Sequence, residues 1–241
     1  MNKESLELWK QFASFAFEAY MKNGIEAQIF DQIGKNSKQA ENFCRYSAQS
    51  PDYLERKVAA SLAGFITKPS PNLLSYLLKL ETDRDRKLSN DDFKRLDCQS
   101  VVEDIVFSAA RWCKNDCNKN EAITVLQKVV QNSIDGQFWN TSSYAMVYLC
   151  LYDYQNSHEL LNKFYEYSKG TPPKHPSNPD LSQERNYSYK LINGDTEIIK
   201  TFEMHILEPK DVKDIPELTG TQDKIVKKLL SVIERISKSN T

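Results

Sequence analysis

Two dipeptides, Ser50-Pro51 and Ser70-Pro71, open two amphipathic stretches of similar length between Ser50 and Leu80. Each serine can accept a hydrogen bond from an unpaired N–H of a first helical turn, and each proline lacks an N–H that would need a partner there. In the first stretch Leu54, Val58, Leu62 and Phe65 recur at helical spacing beside the small residues Ala59, Ala63 and Gly64; in the second, Leu73, Leu74, Leu77 and Leu78 form a matching stripe. Small residues let a partner helix come close, so the unit reads as two helices packed against one another.

The same rhythm extends in both directions. Residues 5–22 carry Leu6, Trp9, Ala13, Phe17 and Tyr20 on one face and end at Asn23-Gly24, a left-handed stop. A short helix with Ile29, Phe30 and Ile33 follows, then Ser37 to Gln49 with Ala40, Phe43, Cys44 and Ala48. Between Glu81 and Ser100 the periodicity dissolves into charges of both signs, which predicts an insertion built mainly of a long connection. Helical spacing returns at Val102, Ile105, Val106, Ala109 and Trp112, then at Ala122, Val125, Leu126, Val129 and Val130, and two further helices are expected over Ser143 to Tyr154 and Ser157 to Ser168.

After Lys169 the run Gly170-Thr-Pro-Pro-Lys-His-Pro-Ser-Asn-Pro cannot continue a helix. Three segments are therefore expected: a helical-repeat domain over 1–169, a Pro-rich linker over 170–185, and a C-terminal part over 186–241. In that last part Tyr187, Tyr189 and Leu191 alternate before Asn193-Gly194, and Ile198, Phe202, Met204 and Ile206 alternate after it, predicting a β-hairpin in which Lys190 faces Glu197 and Tyr189 faces Ile198. A helical reading from Asp195 to Leu207, with Gly194 at its boundary, competes. Gln222 to Lys238 reads as a final helix docked on the body through Ile225, Leu229, Ile233 and Ile236. The expected fold class is mainly α.

The unit from Ser50 to Leu80, with Arg56, Ala59-Ala60, Leu62, Gly64 and Leu77-Leu78, resembles the pattern of HEAT and armadillo-like repeats; Val101 to Ser168 fits it, Glu81 to Ser100 interrupts it, and nothing after Lys169 follows it. The resemblance implies a short α-solenoid of antiparallel helix pairs whose concave face binds proteins, peptides or nucleic acids, because no single repeat buries its own apolar face. It implies a scaffold and leaves the task open.

With 32 Lys and Arg against 33 Asp and Glu, the net charge of -1 supplies no global positive field for nucleic acid or anionic lipid. Five scattered cysteines, Cys44, Cys98, Cys113, Cys117 and Cys150, make a poor disulfide framework and suit a reducing compartment. No apolar run reaches bilayer length and the N-terminus does not read as a secretory signal, so a cytoplasmic protein without membrane association is expected. Cys113 and Cys117 lie four apart, but a structural zinc site needs about four ligands and nothing nearby completes one. No phosphate loop, dinucleotide turn, nucleophile elbow or zinc helix is present, and acidic pairs such as Glu103-Asp104 lack a third group; no cofactor, metal or catalytic residue is assigned.

Two regions are candidates for partner contact. Trp139, Tyr144, Tyr148 and Tyr152 begin an aromatic-rich zone continued by Tyr154, Tyr165 and Tyr167, and Tyr and Trp are enriched at interfaces although most such stripes are core. The charged stretch offers Asp83, Asp85, Asp91 and Asp92. The expectation that follows is a non-enzymatic protein-binding module, in one concrete form an immunity or antitoxin-like inhibitor that occludes a toxin. A HEAT-like DNA-repair glycosylase, which would need a basic groove, and a structural adaptor in a larger assembly are the alternatives.

Overall fold

The structure is a computed structural model that describes residues 3, 6–14, 30–31, 33–88, 92–169, 182–203, 231–232 and 235. Among the described residues every regular element is helical. The helices from residue 37 onward are α1 (Ser37–Ser47), α2 (Tyr53–Ala63), α3 (Leu73–Lys87), α4 (Asp92–Lys114), α5 (Lys119–Ile134), α6 (Trp139–Lys169), α7 (Ser182–Ile192) and α8 (Thr196–Glu203). Among the described residues no helix is long and apolar enough to cross a membrane. The chain divides into two compact units, Met1–Ser70 with Leu207–Thr241, and Pro71–Ile206.

In the first unit, residues 6–14 are helical and bury Leu8, Trp9, Phe12 and Ala13. The Trp9 ring stacks on Phe43 of α1 at 4.3 Å, and Phe12 meets Phe30 and Phe43 edge-on. Helix α1 lies on α2, whose Ala59, Ala60 and Ala63 are fully or almost fully buried, so the small-residue face is the contact face as its pattern implies. Gly34, helical just before α1, meets the turn that follows α2, and a Cβ on it would sit 2.0 Å from the Phe65 carbonyl oxygen. Only glycine allows the Thr67 N–H to reach Gly34 O at 3.2 Å with the two strands of backbone so close.

The Ser-Pro pairs do not cap the helices that follow them. Asp52, in extended conformation, is the N-cap of α2 and accepts from Leu54 N at 2.9 Å, while Ser50 accepts from Asp52 N one step earlier. Helix α2 thus starts at Tyr53, out of reach of Ser50. Ser70 is tied instead to α1: its N–H and hydroxyl donate to Glu41, and its oxygen accepts from Arg45. At the start of α3 the Ser75 N–H finds a tertiary partner, Glu121 of α5, at 3.0 Å.

The second unit is built from consecutive helices that pack on their neighbours and on the next helix but one: α3 on α4 and α5, α4 on α5 and α6, with α7 and α8 against α6. Ser75 pairs with Glu121 near the N-termini of α3 and α5, and Thr82 pairs with Asn132 nearer their C-termini, so these two helices run parallel. Leu73, Leu74, Leu77, Val102, Ile105, Val106, Val125, Leu126, Val129, Met146, Leu149 and Phe164 fill the core.

The charged stretch from Glu81 to Ser100 is not an insertion. Helix α3 continues to Lys87 and α4 begins at Asp92, leaving four residues between them. The periodicity failed because polar side chains occupy inward positions: Glu81, Thr82, Asp85, Arg95 and Gln99 are all buried. Asp85 receives Arg95 Nε at 2.9 Å, Arg95 Nη2 at 3.0 Å and Gln137 Nε2 at 2.9 Å, joining α3, α4 and the α5–α6 turn.

The expected hairpin is also replaced by helix. Asn193-Gly194 ends α7: Gly194 has φ +77, its N–H donates to Leu191 O, and Asp195 N–H donates to Lys190 O, the paired bonds of a Schellman stop. Tyr189 and Ile198 are therefore on successive helices instead of opposite strands. The alternation misled because the inward face of α7 is Glu184, Ser188 and Leu191, spaced for a helix but two-thirds polar. The two helices expected over 143–168 are both present within α6, separated by the non-helical Asp153 (φ -153, ψ 44), just before the break expected between Tyr154 and Ser157. Of the Pro-rich linker expected over 170–185, residues 182–185 instead form the first turn of α7, while 170–181 and most of the final helix over 222–238 lie outside the described residues.

Candidate protein-binding surface

The tyrosines of α6 divide between core and surface. Upstream of Asp153, Tyr144 and Tyr148 follow the regular helix inward: Tyr148 is fully buried and Tyr144 half-buried, both edge-on to Phe107 of α4 at 6.3 and 5.1 Å. Burial, then neighbouring Glu103 and Tyr187, raises the Tyr144 hydroxyl above its ordinary pKa; burial, then Tyr152 and Tyr144, does so more strongly for Tyr148. Tyr152 is half-buried. These rings pack the core. Trp139 opens α6.

Beyond Asp153, tyrosines of α6 and α7 reach the surface. Tyr154 is 39 % exposed and Tyr189, on α7, is 52 % exposed. Neither is loose: the Tyr154 hydroxyl donates to Ile192 O at 3.3 Å and its ring meets His158 edge-on at 5.6 Å, while Tyr189 packs against Tyr165 at 5.7 Å. Lys169 Nζ lies 4.1 Å over the Tyr165 ring and pairs with Glu166 at 2.8 Å. Tyr154 and Tyr165 are eleven residues apart on α6, about 16 Å along the axis, so the tyrosines form an elongated face along α6 and α7. Tyr154 and Tyr165 belong to the aromatic zone read from sequence; Tyr189 was missed because it was assigned to a strand.

The acidic candidates separate. Asp83 is half-buried on α3 and pairs with Lys79 one turn back, which, with desolvation opposing, holds its carboxyl below the ordinary value. Asp85 is 1 % exposed and serves the interior ion pair with Arg95, so it offers nothing to a partner. Asp92 is the first residue of α4, and Asp91 lies outside the described residues.

The reactive groups are quiet. Burial pushes the Cys113 and Cys150 thiols up to about 12 and raises those of Cys44 and Cys117 as well, so each resists forming the thiolate that nucleophilic or metal chemistry requires. Cys113 sits in the last turn of α4 and Cys117 just beyond its left-handed stop, where Cys117 N–H bonds Trp112 O at 2.8 Å. His158 Nδ1 accepts from its helix neighbour Asn162 at 2.9 Å, and His175 and His205 lie outside the described residues. Among the described residues no three His, Cys, Asp or Glu side chains converge as a metal site. Compared with models of known protein families, with curated proteins and with solved structures, the chain matches none.

Proposed function

We propose that this chain is a non-enzymatic protein-binding module that meets its partner through the tyrosine face of α6 and α7. The observation that carries the reading is that Tyr154 and Tyr189 are substantially exposed yet held by a hydrogen bond and ring contacts. A tyrosine fixed before binding offers a large amphipathic contact with little ordering cost left to meet, which favours its use as an anchor. Within the Pro71–Ile206 unit, the packing of α3 on α4 and α5 and of α4 on α5 and α6 supports a HEAT-like stack as the scaffold behind that face. In its concrete form the module is a cytoplasmic inhibitor of immunity or antitoxin type, which blocks a toxin by covering it and so requires no catalytic group.

The test is affinity purification of the full chain from its native cells with quantitative mass spectrometry, set against Tyr154→Ala/Tyr189→Ala. A stoichiometric partner that falls at least about tenfold in the double variant, whose helical content is unchanged, supports the reading, since aromatic anchors typically contribute more than 1 kcal/mol each. Identical recovery by both proteins, no stoichiometric partner, or tight duplex DNA binding with a steep salt slope would each overturn it.

A further inference from the structure

A groove runs between the parallel helices α3 and α5, enclosing about 450 Å³, with Leu78 and Tyr76 on its wall and Ser75, Thr82 and Asn132 among its polar groups. It follows one face of α3 from Asn72 to Arg86, about 21 Å of helix. That length matches about six residues of extended chain. A second cavity of about 330 Å³ lies between α5 and α6, and Lys128 lines both.

The charges of these cavities are unevenly satisfied. Asp83 is paired with Lys79 and Glu159 with Lys163, each one helical turn apart. Both carboxylates are thus already neutralised. Arg86 and Lys128 are exposed and line the α3–α5 groove; neither forms a close ion pair among the described residues, although Arg86 also acts on Asp83 at longer range, leaving three cations against one carboxylate along the groove. An excess of two positive charges therefore faces an elongated trough in a chain whose overall charge is -1. Two cations facing one open trough attract an anionic occupant more strongly than either would alone.

We propose that the α3–α5 groove receives an extended acidic segment of the partner protein, with Arg86 and Lys128 pairing its carboxylates. This deepens the protein-binding reading and rests on it. The trough's length favours a linear occupant over a compact anion. Arg86 supplies a planar fork suited to bidentate carboxylate pairing and Lys128 a compact point charge reachable from either cavity. The segment and the tyrosine face then make separate contributions, the first sensitive to salt and the second not.

The experiment titrates the full chain into fluorescein-labelled hexaglutamate and follows anisotropy, with hexaglutamine and inorganic phosphate as competitors. Saturable binding that weakens at least tenfold in Arg86→Ala/Lys128→Ala, survives in the charge-matched Lys114→Ala/Lys190→Ala, and is displaced by neither competitor supports the groove. Binding lost equally in both double variants marks a non-specific polyanion effect and overturns it. Displacement by phosphate at equal charge assigns the site to a small anion, and absence of hexaglutamate binding removes the acidic-segment idea; both overturn it. The tyrosine-variant purification reads the parent proposal separately, since neither Tyr154 nor Tyr189 lines this groove.

Discussion

Replacing Arg95 with methionine keeps most of the buried side-chain volume but strips Asp85 of two of its three hydrogen bonds, those at 2.9 and 3.0 Å, leaving a carboxylate 1 % exposed with Gln137 alone. A charge-assisted hydrogen bond contributes roughly 1.5–3 kcal/mol, and breaking a buried pair from one side costs about 3–5 kcal/mol because the survivor stays desolvated. We expect Arg95→Met to destabilise the Pro71–Ile206 unit by about 4 kcal/mol. With a urea slope of about 2 kcal/mol per molar, the midpoint moves down by about 2 M. Asp85→Leu should cost a similar amount. The double variant Asp85→Leu/Arg95→Met removes both charges at once, and because an apolar replacement avoids the desolvation penalty, it should fall within about 1 kcal/mol of the parent. Urea unfolding followed by circular dichroism, with hydrogen exchange to localise the change to α3–α5, reads the cycle. A midpoint for Arg95→Met within about 0.3 M of the parent, or a double variant less stable than either single one, would refute the account of this node as a mutually dependent pair.

Two other perturbations address the first unit. Gly34→Ala puts a methyl 2.0 Å from Phe65 O and 2.6 Å from Phe65 C, both backbone atoms that cannot rotate away; we expect a loss of about 3 kcal/mol in thermal unfolding, and a change below about 0.5 kcal/mol would show that the two backbone segments do not approach as described. At Glu41, burial would raise the carboxyl, but the Ser70 hydroxyl and amide and the Arg45 guanidinium outweigh it and hold it below its ordinary 4.5. Its stabilising contribution is therefore complete above that value and is lost as pH falls through the depressed one, so melting temperature should fall less steeply between pH 5 and about pH 3 in Glu41→Gln than in the parent. Equal slopes would rule out Glu41 as a source of acid sensitivity.

Much of the helical content was legible because apolar stripes at helical spacing have one outcome when a face must be buried, and Val125, Leu126, Val129 and Val130 illustrate it. The reading failed where inward positions carry polar side chains. Asp85, Arg95 and Gln137 bond one another only once three separate segments meet, so in sequence they resemble solvent-facing polar residues. Asn193-Gly194 suits a hairpin turn and a helix stop equally, since both need a left-handed residue; the choice fell to α6, against which α7 and α8 bury Leu191 and Ile198. For the candidate surface the sequence showed a tyrosine-rich zone but not which of its rings face solvent. Tyrosine enrichment near α6 was visible, but that Tyr148 is buried and Tyr154 exposed depends on which elements pack against each part of α6.

Spacing of apolar and small residues alone made this chain a helical protein, because the 3.6-residue period is a property of local backbone geometry and needs no distant partner. Tertiary contact decided which charges lie inside, which glycine stop ends a helix, and which tyrosines and cations are left facing water, since each depends on groups far apart in the chain arriving together and satisfying one another away from solvent.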